Sequence, residues 1–592
     1  MPGGRDGSNS ISDAEQLLCI MYPVTELPSF QLARPDETAE DILDGLEVLG
    51  DSLDIPQLLI RALIEYMERY RDDSGSPIFS GEGYFDLADP EAVSSHGLGE
   101  LDIVDSFSMS ITLTLATLAF IQNFRRVVSR EDLRQKIDRL KELSSVRLTA
   151  AMVGLLRSFS LHVFDVRSEA GRILCGRSNQ SGLPERQIIA DLQAKLRPVR
   201  SSLQALTLGS GQAVADLDSP NRLFECGWSW GIVKDAPPIN TSVLDSATLE
   251  KFAQPDGFAM DRPPLYFTGT ALDGIEDLFS ERTRRLGLLD EGQRRLMNSL
   301  QVRRDLTQLY WSTIATFGTG RWPLEDLPWC TSDGQESDYY SLQVSSMVVQ
   351  DLVSRRASDS ELGRVGRVLQ DLANRSRINR RPVRDDAALD LHAPGVPQRL
   401  RGSEKVAGQT VGWLVSNFAP LLLKRTLAVA QLLRDAELRG DLLTLADSIW
   451  DHLLLRRLKD GSGRGLWDQP GDAFEQLSTH HELPSWYQTE RVVECLVAAA
   501  NMVERASLRS ERLTETAKDL LYEADLLYDR ELLLGSGAGP SMRGVLEAAR
   551  ANLQHAWEIL NDRPGSAAAL ASEVLREFER LDVARRDATR ET

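Results

Sequence analysis

At residues 460–470 the chain reads DGSGRGLWDQP, and at 485–489 it reads SWYQT, the head of a run of apolar residues spaced every three or four positions. A polar loop rich in glycine and aspartate thus delivers the chain into an amphipathic helix through a short lead-in motif. That motif is an aromatic residue, one spacer and a hydroxyl, here Tyr487-Gln488-Thr489. A hydroxyl or acidic side chain at a helix start accepts bonds from first-turn N–H groups that have no partner inside the helix, and a neighbouring aromatic pins the incoming chain. Ser485-Trp486-Tyr487-Gln488 and Ser12-Asp13-Ala14-Glu15 both fit the reciprocal capping pattern.

The arrangement recurs. Tyr266-Phe267-Thr268 and Tyr339-Tyr340-Ser341 are clear copies, Ser106-Phe107-Ser108 and Ser10-Ile11-Ser12 are weaker, and Trp413 to Ser416 is a faint sixth. The loops ahead of them are alike: DGSNS at 6–10, DDSGSPIFSGEGYFD at 72–86, CGWSWG at 226–231 and SDGQESD at 332–338. Each match taken alone is also how an ordinary helix begins after a loop. Five or six together predict a repeated helical hairpin, with irregular spacing.

Helical periodicity covers most of the remaining chain, for example 40–71, 130–159, 278–316, 361–377 and 425–459. LHVFDVRSEAGRILC at 161–175 reads as two short strands around a turn at Ala170-Gly171, a small β insertion. Residues 218–264 and 378–402 read as loop insertions. The predicted organisation is a hairpin assembly over 1–505 and a helical extension over 506–592. The fold class is all-α.

Composition bounds the function. The 592 residues carry a net charge of -21, which excludes a phosphate backbone or an anionic membrane as the main partner. Only nine of the 67 basic residues are lysines, the bias of a GC-rich, actinobacterial-type genome. Cys19, Cys175, Cys226, Cys330 and Cys495 form no CxxC pair, and the polar N-terminus is no signal peptide, so a reducing cytoplasm is expected. Residues 106–124 and 406–423 are uncharged and near spanning length. The hydroxyls of the first and the glycines and proline of the second predict buried helices of a large protein, with no transmembrane segment.

Repeated hairpins with long glycine-, tryptophan- and aspartate-bearing loops at one end resemble the (α/α) toroids: terpene cyclases, protein prenyltransferases, six-hairpin glycosidases and lanthionine cyclases. The resemblance rests on the stretches quoted above, about a fifth of the chain. It implies a ring whose inner helices begin around one mouth, with the site there. The missing zinc ligands count against a lanthionine cyclase. The chain as a whole also resembles a family from streptomycete gene cassettes, which implies no activity.

Candidate catalytic carboxylates at such a mouth are Asp102, Asp105, Asp333 and Asp468. In a partly dry cleft, paired carboxyls serve as general acid and base, or protonate an alkene. In so acidic a chain, each can equally be a solvated charge or a helix cap. Candidate substrate-binding aromatics are Trp228, Trp322, Trp329, Trp467, Tyr339 and Tyr487, whose faces would stack on a sugar or stabilise a carbocation, or else fill gaps beneath long loops. Asp385-Asp386-Ala387-Ala388-Leu389-Asp390 is similar to the DDxxxD run with which prenyltransferases and class I terpene synthases hold magnesium. The resemblance implies Asp385, Asp386 and Asp390 as metal ligands, and flanking prolines and arginines argue instead for a solvated loop. The DxDD acid of class II cyclases is absent, and so is a P-loop.

Two functions fit this sequence. One is a cytosolic helical scaffold that docks partner proteins in a multi-gene bacterial system. The other is a toroid enzyme acting on an apolar, isoprenoid-like molecule, or on a carbohydrate, through the loop carboxylates.

Overall fold

A computed structural model describes residues 9–34, 37–50, 54–89, 95–205, 217, 219–239, 252–355, 357–477, 480–504, 511–534, 540–560 and 564–590. About 65% of the chain is helical, as the periodicity predicts. Two compact units are present: residues 1–432 with 441–499, and residues 433–440 with 500–592.

The long helices are numbered α1 (Ser10–Glu26), α2 (Asp54–Arg69), α3 (Val104–Phe124), α4 (Glu131–Ser158), α5 (Glu169–Ser178), α6 (Leu265–Leu278), α7 (Glu291–Ala315), α8 (Asp338–Ser354), α9 (Asp359–Arg375), α10 (Phe418–Leu432), α11 (Ala436–Leu455) and α12 (Trp486–Glu504). Reciprocal caps start several of them: Asn9 with Ser12 on α1, Asp290 with Gln293 on α7 and Ser358 with Glu361 on α9. On α1 the cap is Asn9 and Ser12 is the third helical residue, a step earlier than the Ser12-to-Glu15 pattern predicts.

In the first unit α1, α3, α6, α8 and α10 pack in succession, each against the next. Lys424 of α10 pairs with Glu494 of α12 at 3.0 Å, and Arg491 of α12 pairs with Glu15 of α1 at 3.1 Å. The six helices are therefore neighbours in closed order. Against them lie α2, α4, α7 and α9, with α2 touching α4 and α4 touching α7, while Leu442 of α11 abuts Gly366 of α9. Helix α3 is buried continuously from Val104 to Ile121. Among the described residues it is the one helix long and apolar enough to cross a membrane. Its hydroxyls need no solvent, because Thr114 and Thr117 donate to the carbonyls of Ser110 and Leu113 one turn back.

The strands differ from expectation. Phe159–Asp165 (β2) pairs antiparallel with Arg222–Trp228 (β3), so the 161–175 segment supplies one strand and its second half is α5. Ser168 caps α5 by accepting from the Gly171 N–H at 3.1 Å. A Cβ on Gly171 would lie 2.5 Å from the Asp165 and Val166 carbonyl oxygens, so this glycine serves close packing inside a helix and not a hairpin turn. Phe85–Asp86 (β1), Val411–Val415 (β7) and Val396–Leu400 (β6) form a second sheet, and Trp329–Cys330 (β4) pairs with Glu336–Ser337 (β5). The 378–402 segment, read as an insertion, holds a 3-10 turn at Ala387–Leu391 as well as β6. VGWLV buries Val411, Trp413 and Val415 alternately, a strand period, so the expected helix over 406–423 begins only at Phe418. Of the 218–264 loop, residues 218 and 240–251 lie outside the described residues.

The lead-in motif is a structural repeat of another kind. Thr268 Oγ1 accepts the Trp228 backbone N–H at 3.1 Å, Thr489 Oγ1 accepts that of Trp467 at 3.1 Å, and Ser341 Oγ accepts that of Trp329 at 2.7 Å. The two threonine hydroxyls also donate to the same tryptophans' carbonyls. Indole Nε1 of Trp228 donates to the Leu155 carbonyl near the end of α4, and that of Trp467 to the Leu453 carbonyl near the end of α11. Trp228 thus ties the end of α4 to the start of α6, and Trp467 the end of α11 to the start of α12. The hydroxyls are not helix caps. Ser108 does not take part, since its Oγ donates to the Thr270 carbonyl.

The second unit consists of α13 (Glu511–Leu534), α14 (Pro540–Ile559) and α15 (Pro564–Arg590) around Leu521, Leu546, Leu553, Val574 and Phe578, with alanines such as Ala517, Ala524 and Ala567 permitting close approach.

Candidate functional site

Near their N-terminal ends the six inner helices each turn a polar side chain inward. They are Glu15 on α1, Asp105 on α3, Tyr266 on α6, Tyr339 on α8, Asn417 just before α10, and Tyr487 with Arg491 on α12. Tyr266 donates its hydroxyl to Asp105 Oδ1 at 2.6 Å, and Tyr339 donates to Asn417 Oδ1 at 2.8 Å while accepting from Gln343 at 2.7 Å. The Arg491 guanidinium lies 3.7 Å over the Tyr487 ring, bonds Glu15 and stands 4.0 Å from Asp105. Tyr84, reaching in from the loop before β1, donates to the other oxygen of Glu15. Burial keeps Tyr266 and Tyr339 protonated far above the usual phenol range, so each is a fixed hydroxyl donor.

Beside this network, between α1, α3, α6, α10 and α12, lies a cavity of about 110 Å³. Its charged lining is Asp273, Asp277, Lys424, Glu490, Arg491 and Glu494. Arg425 grips both oxygens of Asp273 at 2.8 Å. Burial opposes the charge on Asp273, but Arg425 and Lys424 outweigh it and bring its carboxyl down to about 2. At Asp277 burial outweighs the Thr112 hydroxyl, which donates to it at 2.5 Å, and the charges of Arg282 and Lys424, and pushes the carboxyl up to about 6. Glu490 is raised by burial and by the neighbouring Glu494. The cavity therefore holds carboxyls of opposite character, some locked as anions and some ready to keep a proton, which is the raw material of acid–base chemistry.

The residues predicted for a mouth divide among different surroundings. Asp105, Tyr339 and Tyr487 join the inner network. Asp102 accepts the Phe79 N–H at 3.0 Å and lines a separate cavity of about 810 Å³ with Arg157, its carboxyl raised to about 7 by burial. Asp333 sits between Arg401 at 3.5 Å and Arg262 at 3.6 Å in a cleft with Trp230, Trp311 and Tyr340. Asp468 is buried in a two-pronged pair with Arg456 at 2.7 and 2.5 Å. Trp228 and Trp467 are the wedges described above. Trp322 and Trp329 are buried beneath the guanidinium groups of Arg364 and Arg177, at 3.8 and 4.7 Å, so the tryptophans pack loops and open no shared face.

The aspartate run is not gathered into a ligand cluster. Asp386 pairs with Arg377 at 2.7 Å and accepts from Ala388 N–H, while Asp385 and Asp390 are exposed. Among the described residues no group of three or more His, Cys, Asp or Glu is placed to hold a metal ion.

Sequence reasoning missed Glu15, Arg491, Glu490, Asp277 and Lys424. The available signal was charge inside apolar helices: Asp273 and Asp277 lie four apart in LYFTGTALDGIEDL, and Lys424-Arg425 interrupts FAPLLLKRTLAVAQL.

Fold and site together define a class, a mostly helical protein with a charged polar cluster between several of its helices. The chain belongs to the SCO2524-like family, whose model matches residues 1–589. No curated protein and no solved structure matches it.

Proposed function

We propose that this chain is a six-hairpin (α/α) ring of the bacterial cytosol that binds a small polar molecule in the cavity between its inner helices. One observation carries the reading: a cavity of about 110 Å³ whose lining bears six charged side chains and is drawn from five of the six inner helices. The closed neighbour order of those helices supports the ring, and five free cysteines support a reducing compartment. The lining favours a polar ligand over the isoprenoid one that the toroid resemblance implies. Buried charge is compensated only by charge or hydrogen bonds, which an apolar guest lacks. Thermal-shift screening with fragments of up to about six heavy atoms tests it, the size a cavity of this order admits. Binders should raise the Tm of the wild-type protein and not of Thr270→Met, which fills the cavity. No binder, or binders indifferent to Thr270→Met, would overturn the reading.

A second reading, the partner-docking scaffold, is favoured by the outer face of α13, where Tyr522, Leu526 and Leu533 are 62, 71 and 80% exposed at helical spacing. Leu526→Glu with Leu533→Glu should then abolish association with a partner helix while leaving the Tm unchanged.

A further inference from the structure

We propose that the cavity's ligand is a compact organic cation, an ammonium group on a short alkyl stem, seated between Glu490 and Asp277. The proposal rests on the cavity being a ligand site. Four carboxylates line it against two cations, and most of the pairing is already committed. Asp273 is taken by Arg425 and, at 3.5 Å, by Lys424; Glu494 is taken by Lys424 at 3.0 Å. Arg491 is spent on Glu15 and on the Tyr487 ring. Two acids remain. Glu490 is only 5% exposed, and its one ion pair is Arg491 at 3.6 Å, beyond hydrogen-bond reach. Asp277 takes the Thr112 hydroxyl and has no ion pair within 4 Å among the described residues, Lys424 and Arg282 (itself paired with Glu26) acting on it from further off. Buried acids lining a space with acceptor capacity to spare are complementary to a donor that carries positive charge.

The groups around this pair leave them as the ones that titrate. From α1, Tyr22 and Cys19 are held neutral by burial, and Glu15 is tied to Arg491. From α3, Asp105 accepts from Tyr266 of α6. Asp273, Lys424, Arg425 and Glu494 are paired with one another. Burial raises both Glu490 and Asp277, which favours a proton on one of them until a counter-cation is present. An entering ammonium group displaces that proton to solvent and takes its place, so affinity rises with pH.

Isothermal titration calorimetry on the full chain tests this with propylammonium, 1-propanol and propionate, three probes of nearly equal size. Propylammonium should bind at least tenfold tighter than either of the others and tighter at pH 8 than at pH 6. Its heat should vary with the ionisation enthalpy of the buffer, which reports proton release. Glu490→Gln, which keeps the shape, should lose about tenfold in affinity and most of that buffer dependence; Asp277→Asn serves the same purpose should Glu490→Gln fail to fold. If 1-propanol or propionate binds as tightly and Thr270→Met abolishes that binding, the cation is wrong and the cavity reading survives. If none of the three gives heat that Thr270→Met removes, both fall.

Discussion

Thr489 and Asp468 show how a side chain's partner decides its role. The Thr489 hydroxyl serves both backbone groups of a buried tryptophan twenty-two positions earlier. Thr489→Ala should then cost about 1–3 kcal/mol, the range for stranding buried polar groups, and not the smaller loss of a frayed helix cap. Urea denaturation measures it. Thr489→Ser should restore most of the loss, and an alanine effect within about 0.5 kcal/mol would contradict the latch. Asp468 neutralises Arg456, whose guanidinium also donates to His392 Nδ1 at 3.1 Å. Burial and then Arg456 push His392 down to about 3, so the ring is neutral in the folded protein while an unfolded histidine titrates near 6.5. The folded state binds fewer protons across that window. The stability is fully present above pH 6.5 and is lost as pH falls toward 3, by on the order of a few kcal/mol. His392→Gln, which still accepts from Arg456, should flatten that part of the acid-denaturation profile.

Elements meet at close quarters only where a side chain is missing. A Cβ on Gly274 of α6 would lie 2.2 Å from Ser108 Oγ and 2.8 Å from Ser108 Cα on α3. Backbone cannot step aside as a flexible side chain can. Gly274→Ala should therefore destabilise by about 1–3 kcal/mol, although alanine alone would favour a helix by about 1 kcal/mol. A gain in Tm would show that α3 and α6 have room to separate. At this scale periodicity was a dependable guide to α3, α4, α7 and α9, which are long enough to average out local noise. It failed for VGWLV, where five apolar residues suit a buried strand as well as a helix and only pairing with β1 and β6 decides.

For the first unit as a whole, the informative contact is Arg491 with Glu15, since it joins the last inner helix to the first across 476 positions of chain. Removing one member leaves a charge buried without its counter-ion. Arg491→Met should cost about 3–5 kcal/mol, and Glu15→Gln added to it should recover part of that, because the second change removes the stranded charge. Chemical denaturation of the two variants checks this. Equal stability of the single and double variants would mean that the pair does not couple the two helices.

The amino-acid sequence by itself determined the helical class and the recurring lead-in hydroxyl, because both are written in local spacing: the 3.6-residue period and loop composition. It also singled out Asp105, Tyr339 and Tyr487, which stand at helix starts where the repeat makes them conspicuous. Only the tertiary structure decided which charges matter. Glu15, Asp277, Glu490 and Arg491 come from three helices, and only packing sets Glu15 against Arg491 and lines one cavity with Asp277, Glu490 and Arg491, while Asp333 faces Arg401 and Asp468 is held by Arg456. The reason is electrostatic: the strength of a charge pair depends on distance and on the surrounding dielectric, and neither is encoded in the order of residues along one helix.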